Sequence, residues 1–110
     1  MRYVVLHHTG IPQPHFDLML ELSPDSELST WRVLHWPPMP EDPFTPLPKH
    51  RRDYLEYEGP ISGDRGQVNR VAAGSYRLVE ASPSKLIVTL DDNQTLSLPR
   101  DPANIKPGDQ

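Results

Sequence analysis

The amino-acid sequence predicts a mainly β protein, an antiparallel sandwich or small barrel with at most about two short helices. Three observations carry that expectation. About seven short segments of β-branched or alternating apolar residues recur along the chain, separated by turn residues roughly every eight to twelve positions. Fourteen prolines against six glycines interrupt any long helix, because proline lacks the N–H that a helix interior needs. The 110 residues suffice for one core, since domains usually run to about 100–150 residues. A single domain is expected over 1–100, with a flexible tail at 101–110.

Each element has its own signal. Arg2 to His8 (RYVVLHH) is β-branched and aromatic, and the prolines between Thr9 and Pro14 end it as the first strand. His15 to Leu22 alternates strictly: His15, Asp17, Met19 and Glu21 fall on one face, and Phe16, Leu18, Leu20 and Leu22 on the other. It reads as a second strand, antiparallel to the first if the loop is a hairpin. Ser23 to Glu27 is a turn and Leu28 to Trp36 a third strand. Six prolines between Pro37 and Pro48 predict a surface loop. Lys49 to Gly59 is the stretch expected to form a short helix, with His50 and Tyr54 on one side at i, i+4 spacing. Glu56-Tyr57-Glu58-Gly59 would be its solvated end with a glycine cap. After the turn Ser62 to Gly66, four short strands follow: Gln67 to Ala72, Ser75 to Glu80, Lys85 to Leu90 and Thr95 to Pro99. Gly74 and the pairs Pro83-Ser84 and Asp92-Asn93 separate them. The stretch from Arg100 to Gln110, with two prolines and few apolar groups, is expected to fray.

Composition excludes several classes of chemistry. With no cysteine there is no disulfide scaffold, thiolate zinc site, cysteine nucleophile or iron–sulfur cluster. Any metal must sit on histidine and carboxylate. The formal charge of -4 argues against wholesale coating of nucleic acid but leaves room for a local basic patch. The apolar run Tyr3 to Leu6 is too short for a signal segment or a membrane span, so the chain reads as soluble and cytoplasmic.

The informative segment is His7-His8 beside His15-Phe16-Asp17. Residues i and i+2 of a strand point the same way, so His15 and Asp17 project into one small volume. A hairpin would bring either His7 or His8 alongside, completing a set of two histidines and one carboxylate that leaves coordination positions open. Such a set suits Mn²⁺, Fe²⁺ or Zn²⁺. The second constellation is His50 with Tyr54, flanked by Lys49, Arg51 and Arg52, with Arg65 and Arg70 further on. An imidazole and a phenol can donate to a phosphate oxygen, and guanidinium groups make bidentate anion contacts. Alternatively, this is a solvated charged turn with Tyr54 as a core anchor. Trp31 and Trp36 read as buried area and His35 between them as structural. Gly63-Asp64-Arg65-Gly66 lacks the strand-to-helix context of a phosphate cradle.

Taken in order, these pieces resemble the 3'-phosphoesterase domain of bacterial DNA ligase D and its small stand-alone relatives. Tyr3-Val4-Val5-Leu6-His7-His8 is similar to the family's first strand ending in a metal-binding histidine. His15-Phe16-Asp17-Leu18-Met19-Leu20-Glu21 is similar to its His-aromatic-Asp strand closing in Leu-Glu. His50-Arg51-Arg52-Asp53-Tyr54, followed by Glu56-Tyr57-Glu58-Gly59-Pro60, resembles its His and Tyr four apart with an acidic-aromatic-Glu-Gly segment. Gly63 to Val68 and the pair Lys85 to Leu90 with Thr95 to Arg100 look like its closing hairpins. The resemblance spans nearly the whole chain.

It implies a compact antiparallel β barrel with one or two short flanking helices. It also implies a divalent metal, typically manganese with zinc or another transition metal as alternatives, on His8, His15 and Asp17. His50 and Tyr54 would contact the scissile phosphate. The implied reaction removes a 3'-terminal ribonucleoside or 3'-phosphate from a primer end in DNA repair. The implied partners are nucleic acid 3' ends, DNA or RNA-tipped DNA, together with a repair ligase or polymerase; no membrane is involved, and the protein would be a monomer. Two departures stand out. The ligase domains carry an Arg two positions after the metal-binding Asp, where this chain has Met19, and an N-terminal arm with further polar residues, whereas this chain starts at its first strand. Phosphate clamping would then fall to Arg51, Arg52 or Arg65. A catalytically weak metal-stabilised module that binds nucleic acid ends or a repair protein is the alternative expectation.

Overall fold

A computed structural model describes residues 1–100, so the tail expected at 101–110 lies outside the described residues. Eight strands follow in chain order: β1 (Arg2–Thr9), β2 (His15–Glu21), β3 (Leu28–Val33), β4 (Thr45–His50), β5 (Gly59–Pro60), β6 (Gln67–Ala81), β7 (Lys85–Leu90) and β8 (Gln94–Pro99). A single 3₁₀ turn, Arg52–Leu55, lies between β4 and β5. Every pairing is antiparallel. The order is β4-β3-β2-β1-β6-β7-β8, with the two-residue β5 beside β6. The sheet curls into a half-barrel, as the turn-punctuated sequence predicts. Among the described residues no helix is long and apolar enough to cross a membrane.

The curl follows from β6. Rather than two strands parted at Gly74, residues 67–81 form one long strand that pairs with β1 through its first half and with β7 through its second. Gly74 is no turn residue; a Cβ there would lie 2.2 Å from the Asp91 carboxylate, which accepts from the Tyr3 hydroxyl (2.5 Å) and the Ser75 N–H (3.1 Å). Two register shifts on β6, opposite Val5/Leu6 and between Leu78 and Glu80, bend it as bulges do. They leave Val71 and Val79 unmatched and exposed.

Four other expectations are corrected. The proline-rich stretch is not loop throughout, since Thr45–His50 forms β4, with Pro46 and Pro48 inside it. An edge strand tolerates prolines because every second N–H points away from its one neighbour, and among the described residues β4 has only β3 beside it. The helix expected over Lys49 to Gly59 is one 3₁₀ turn capped at Glu56, not at Gly59, because His50 still belongs to the sheet. Glu58 accepts instead from the Arg70 N–H at 2.7 Å. The third strand ends at Val33; beyond it His35 is exposed and pairs with Asp42 at 2.8 Å. Arg100, read as the start of a frayed tail, donates to the Ser84 and Ser82 carbonyls at 2.9 and 3.0 Å.

Both faces of the β1–β2 hairpin are buried. Val5, Leu18, Leu20, Trp31 and Val33 join Leu86, Val88, Leu90 and Leu98 in the main core enclosed by the curled sheet. The opposite face carries a smaller cluster of Val4, Leu6, Met19, Leu28, Leu55 and Val68, roofed by Tyr54 and Ile61. Trp31 closes the open seam by donating its indole N–H to the Pro99 carbonyl at 2.6 Å.

Candidate metal centre

The β1–β2 register decides which histidine faces which. His8 stands opposite His15, and His7 opposite Phe16; directly opposed residues share a face. His7 therefore stacks flat on Phe16, with ring centroids 4.3 Å apart and planes 12° from parallel, on the main-core side. His8, His15 and Asp17 share the other face, and one ligand atom of each lies within 4.8 Å of the other two. The choice that strand parity leaves open falls to His8.

Hydrogen bonds to backbone carbonyls orient both rings. His15 is buried, and its Nδ1 donates to the Gln13 carbonyl at 2.9 Å, while His8 donates through Nε2 to the Arg65 carbonyl at 2.7 Å. A carbonyl only accepts, so the outer nitrogen of each ring holds a proton and the inner nitrogen turns to Asp17. His15 Nε2 lies 3.2 Å from Asp17 Oδ1, and His8 Nδ1 lies 4.0 Å from Oδ2. Asp17 is 3% exposed, and among the described residues its Oδ1 makes no hydrogen bond. A buried unpaired carboxylate oxygen is costly. With His15 Nε2 facing Oδ1 and His8 Nδ1 facing Oδ2, two imidazole nitrogens and one carboxylate form a donor set that a divalent transition metal takes. In the metal-free protein the adjacent Asp17 carboxylate raises the pKa of His15 above its ordinary value, aided by the Gln13 carbonyl and opposed by burial and by the charge of Arg32.

The loop carrying Arg65 is held by contact between glycines. Gly10 and Gly66 both have φ near +75° (74° and 76°), and a Cβ on Gly66 would lie 2.0 Å from the Thr9 carbonyl oxygen. Gly63-Asp64-Arg65-Gly66 thus braces a candidate metal ligand.

A cleft of about 580 Å³ opens at the cluster, lined by His8, Asp17 and Met19 together with Glu27, His50, Arg51, Tyr54 and Arg65. His50 and Tyr54 meet across the corner between β4 and the 3₁₀ turn, not along a helix face. Their rings are 5.9 Å apart, edge to face. His50 donates through Nδ1 to the Pro48 carbonyl at 2.9 Å, which leaves Nε2 for the cleft. Arg52 does not line this cleft. It is bound to the Glu21 carboxylate and to the Ser23 and Ser26 carbonyls, each of the latter at 3.1 Å, so it is not placed as a phosphate clamp. Met19 is buried in the smaller core as part of the floor.

Arg32 escaped the sequence reading. It stands opposite Asp17 in the β2–β3 register, and its buried Nε has no hydrogen-bond partner among the described residues. Its only signal is that register, which pairs positions on separate strands. Glu27 stands in no motif, and the carbonyls of Gln13 and Arg65 have no sequence signature because every residue carries one. No protein-family model and no curated protein matches the chain.

Proposed function

We propose that this protein is a metal-dependent phosphoesterase that processes nucleic acid 3' ends in DNA repair, removing a 3'-phosphate or 3'-terminal ribonucleotide to leave a 3'-hydroxyl. The observation that carries the reading is the convergence of His8, His15 and the unpaired Asp17 oxygen on one point, in a cleft that His50, Tyr54, Arg51 and Arg65 also line. The family resemblance of the same residues supports it. His8, His15 and Asp17 would hold the metal: two imidazoles and a carboxylate with open positions suit Mn²⁺, Fe²⁺ or Zn²⁺, and the family resemblance favours Mn²⁺. When bound, such an ion polarises a phosphoryl oxygen and lowers the pKa of a bound water. His50 Nε2 stabilises charge on the phosphate or passes a proton to the leaving oxygen, and the Tyr54 hydroxyl orients the phosphate. Arg51 and Arg65 supply the guanidinium contacts that Arg52 does not.

A second reading has its own observation. Buried Met19 stands where the ligase domains carry an arginine, and Arg52 is spent on Glu21. Losing one such donor removes about 2.7–4 kcal/mol of transition-state stabilisation, which would leave a module that binds 3' ends without turnover. Incubating a 3'-phosphorylated primer with the protein and Mn²⁺, beside a gel shift with the same primer, separates the two. The enzyme reading expects phosphate release abolished by EDTA, and a His50→Ala variant that keeps its Mn²⁺ but cleaves at least about 100-fold more slowly. Binding without release selects the module, and cleavage undiminished in His50→Ala removes His50 from catalysis.

A further inference from the structure

We infer that the cleft continues into a nucleoside subsite, in which Tyr57 is a stacking platform for the base that carries the scissile 3'-phosphate in a single-stranded end. The inference rests on the phosphoesterase reading and names the form of its substrate. A second hollow of about 280 Å³ adjoins the metal-site cleft and shares Arg51, Tyr54, Ile61, Ser62 and Arg65 with it. Asp53, Tyr57 and Pro60 complete its walls.

Three rings lead from one hollow to the other. His50 and Tyr54 lie 5.9 Å apart, and Tyr54 and Tyr57 lie 6.0 Å apart with planes at 80°. Tyr57 is 37% exposed, yet it is held in place. Its hydroxyl donates to the Pro60 carbonyl, and a Cβ on Gly59 would sit 3.1 Å from that oxygen. With its one polar group committed, the ring has only its π surface to offer. An aromatic ring already fixed in the free protein loses little entropy when it binds.

The charges around it suit a nucleotide chain better than an isolated anion. Arg51 and Arg65 border both hollows, so they can follow a phosphate backbone from the metal site outward. Inorganic phosphate would fill only the inner hollow and leave Tyr57 unused. Asp53 on the outer wall discourages a further phosphate there and offers an acceptor to a sugar hydroxyl or a base N–H. The terminal base of a duplex is held by its partner base and by the pair beneath it, whereas an unpaired terminal base can be splayed out onto a protein ring. Stacking reads such a base without regard to sequence.

The test uses the full chain with Mn²⁺ and a 5'-labelled single-stranded oligonucleotide ending in a non-hydrolysable 3'-methylenephosphonate, read by fluorescence anisotropy. A partner oligonucleotide is identical but abasic at the terminal nucleoside. The parent should prefer the base-containing end on the order of 5- to 100-fold, as a stacked base does. Tyr57→Ala should erase that preference while inorganic phosphate competes equally well against parent and variant. Tyr57→Phe should keep most of the preference and guards against misfolding of the alanine variant. Equal affinity of the parent for the two ends overturns the subsite, as does equal affinity for a blunt duplex end. If the base preference holds but 3'-phosphorylated primers are never cleaved, the subsite stands and the enzyme reading falls. If primers are cleaved with no regard to the terminal base, the reverse is true.

Discussion

At the scale of single residues, the candidate centre depends on where protons are held. His8, His15 and His50 each donate one ring N–H to a backbone carbonyl, which sets the tautomer and aims the other nitrogen, as second-shell partners of metal ligands do. Among the described residues the buried Asp17 Oδ1 makes no hydrogen bond; the His15 imidazole lies 3.2 Å from it, while His8 faces Oδ2. Replacing Asp17 with a neutral amide of the same size removes the cost of burying a carboxylate that is not fully hydrogen-bonded. Metal-free Asp17→Asn should therefore melt at or above the parent temperature. Mn²⁺ should stabilise the parent by roughly 2.7 kcal/mol at a hundredfold excess over its Kd and leave the variant unmoved. Calorimetric scans with and without EDTA check this, and a variant still stabilised by Mn²⁺ would remove Asp17 from the ligand set. The pairing of His15 with Asp17 was readable from strand parity alone. The choice between His7 and His8 was not, because adjacent strand residues point to opposite faces and only the β1–β2 register says which face the cluster occupies.

At the scale of elements, the centre is held by one hairpin and one long connection. The β1–β2 hairpin supplies all three ligand candidates, while the end of β4 supplies His50 and the chain from there to β6 supplies Arg51, Tyr54 and Arg65. The two meet where Gly66 presses on the Thr9 carbonyl. A methyl group at Gly66 meets both that oxygen and a positive φ. Gly66→Ala should cost about 1–3 kcal/mol and also weaken Mn²⁺ binding about 10- to 100-fold, the usual effect of losing a second-shell partner, because the Arg65 carbonyl leaves His8. Urea melts combined with a Mn²⁺ titration test both effects, and an unchanged Mn²⁺ affinity would separate the brace from the ligand. Here local signals misled in an instructive way. Prolines and an i, i+4 pair suggested a loop and then a helix, but an edge position gave Pro46 and Pro48 a place in a strand. The His50 and Tyr54 rings met across a corner instead.

For the whole molecule, Glu21 ties the pieces together. Its carboxylate accepts from Arg52 and from the Arg2 N–H (3.2 Å), and its carbonyl accepts from the Tyr76 hydroxyl (2.7 Å). One residue of β2 thus joins β1, β6 and the 3₁₀ turn. Arg52 first, then the Arg2 N–H and the charges of both, hold the Glu21 pKa below its ordinary 4.5 against the opposing effect of burial. A depressed carboxylate pKa stabilises the fold fully above pH 4.5, and that contribution is lost as the pH falls through the folded-state value. Glu21→Gln should therefore cost about 1–3 kcal/mol at neutral pH, with the gap to the parent closing in acid. Urea melts from pH 7 down to 3 follow it, and a gap that stays constant would show that Glu21 does not act through its charge. Tyr76 and Tyr3 report the same burial, since both phenols are pushed up to about 12, Tyr3 aided by Asp91 and Tyr76 by the Glu21 charge.

The sequence by itself determined the β class, most strand positions and the shared face of His15 and Asp17, because alternation, turn residues and the absence of cysteine are local properties of the chain. It also placed His50 and Tyr54 together, though for a helical reason that did not apply. Tertiary structure alone decided the rest. Register put His8 rather than His7 on the face of His15 and Asp17, where spacing leaves both open and the family resemblance names His8, and it set Arg32 opposite Asp17. The Asp91 carboxylate made Gly74 a point of close contact within one continuous strand. The Glu21 carboxylate drew Arg52 away from the cleft. Each of these outcomes depends on which atoms the curled sheet brings together from distant parts of the chain, and neither propensity nor spacing encodes that meeting.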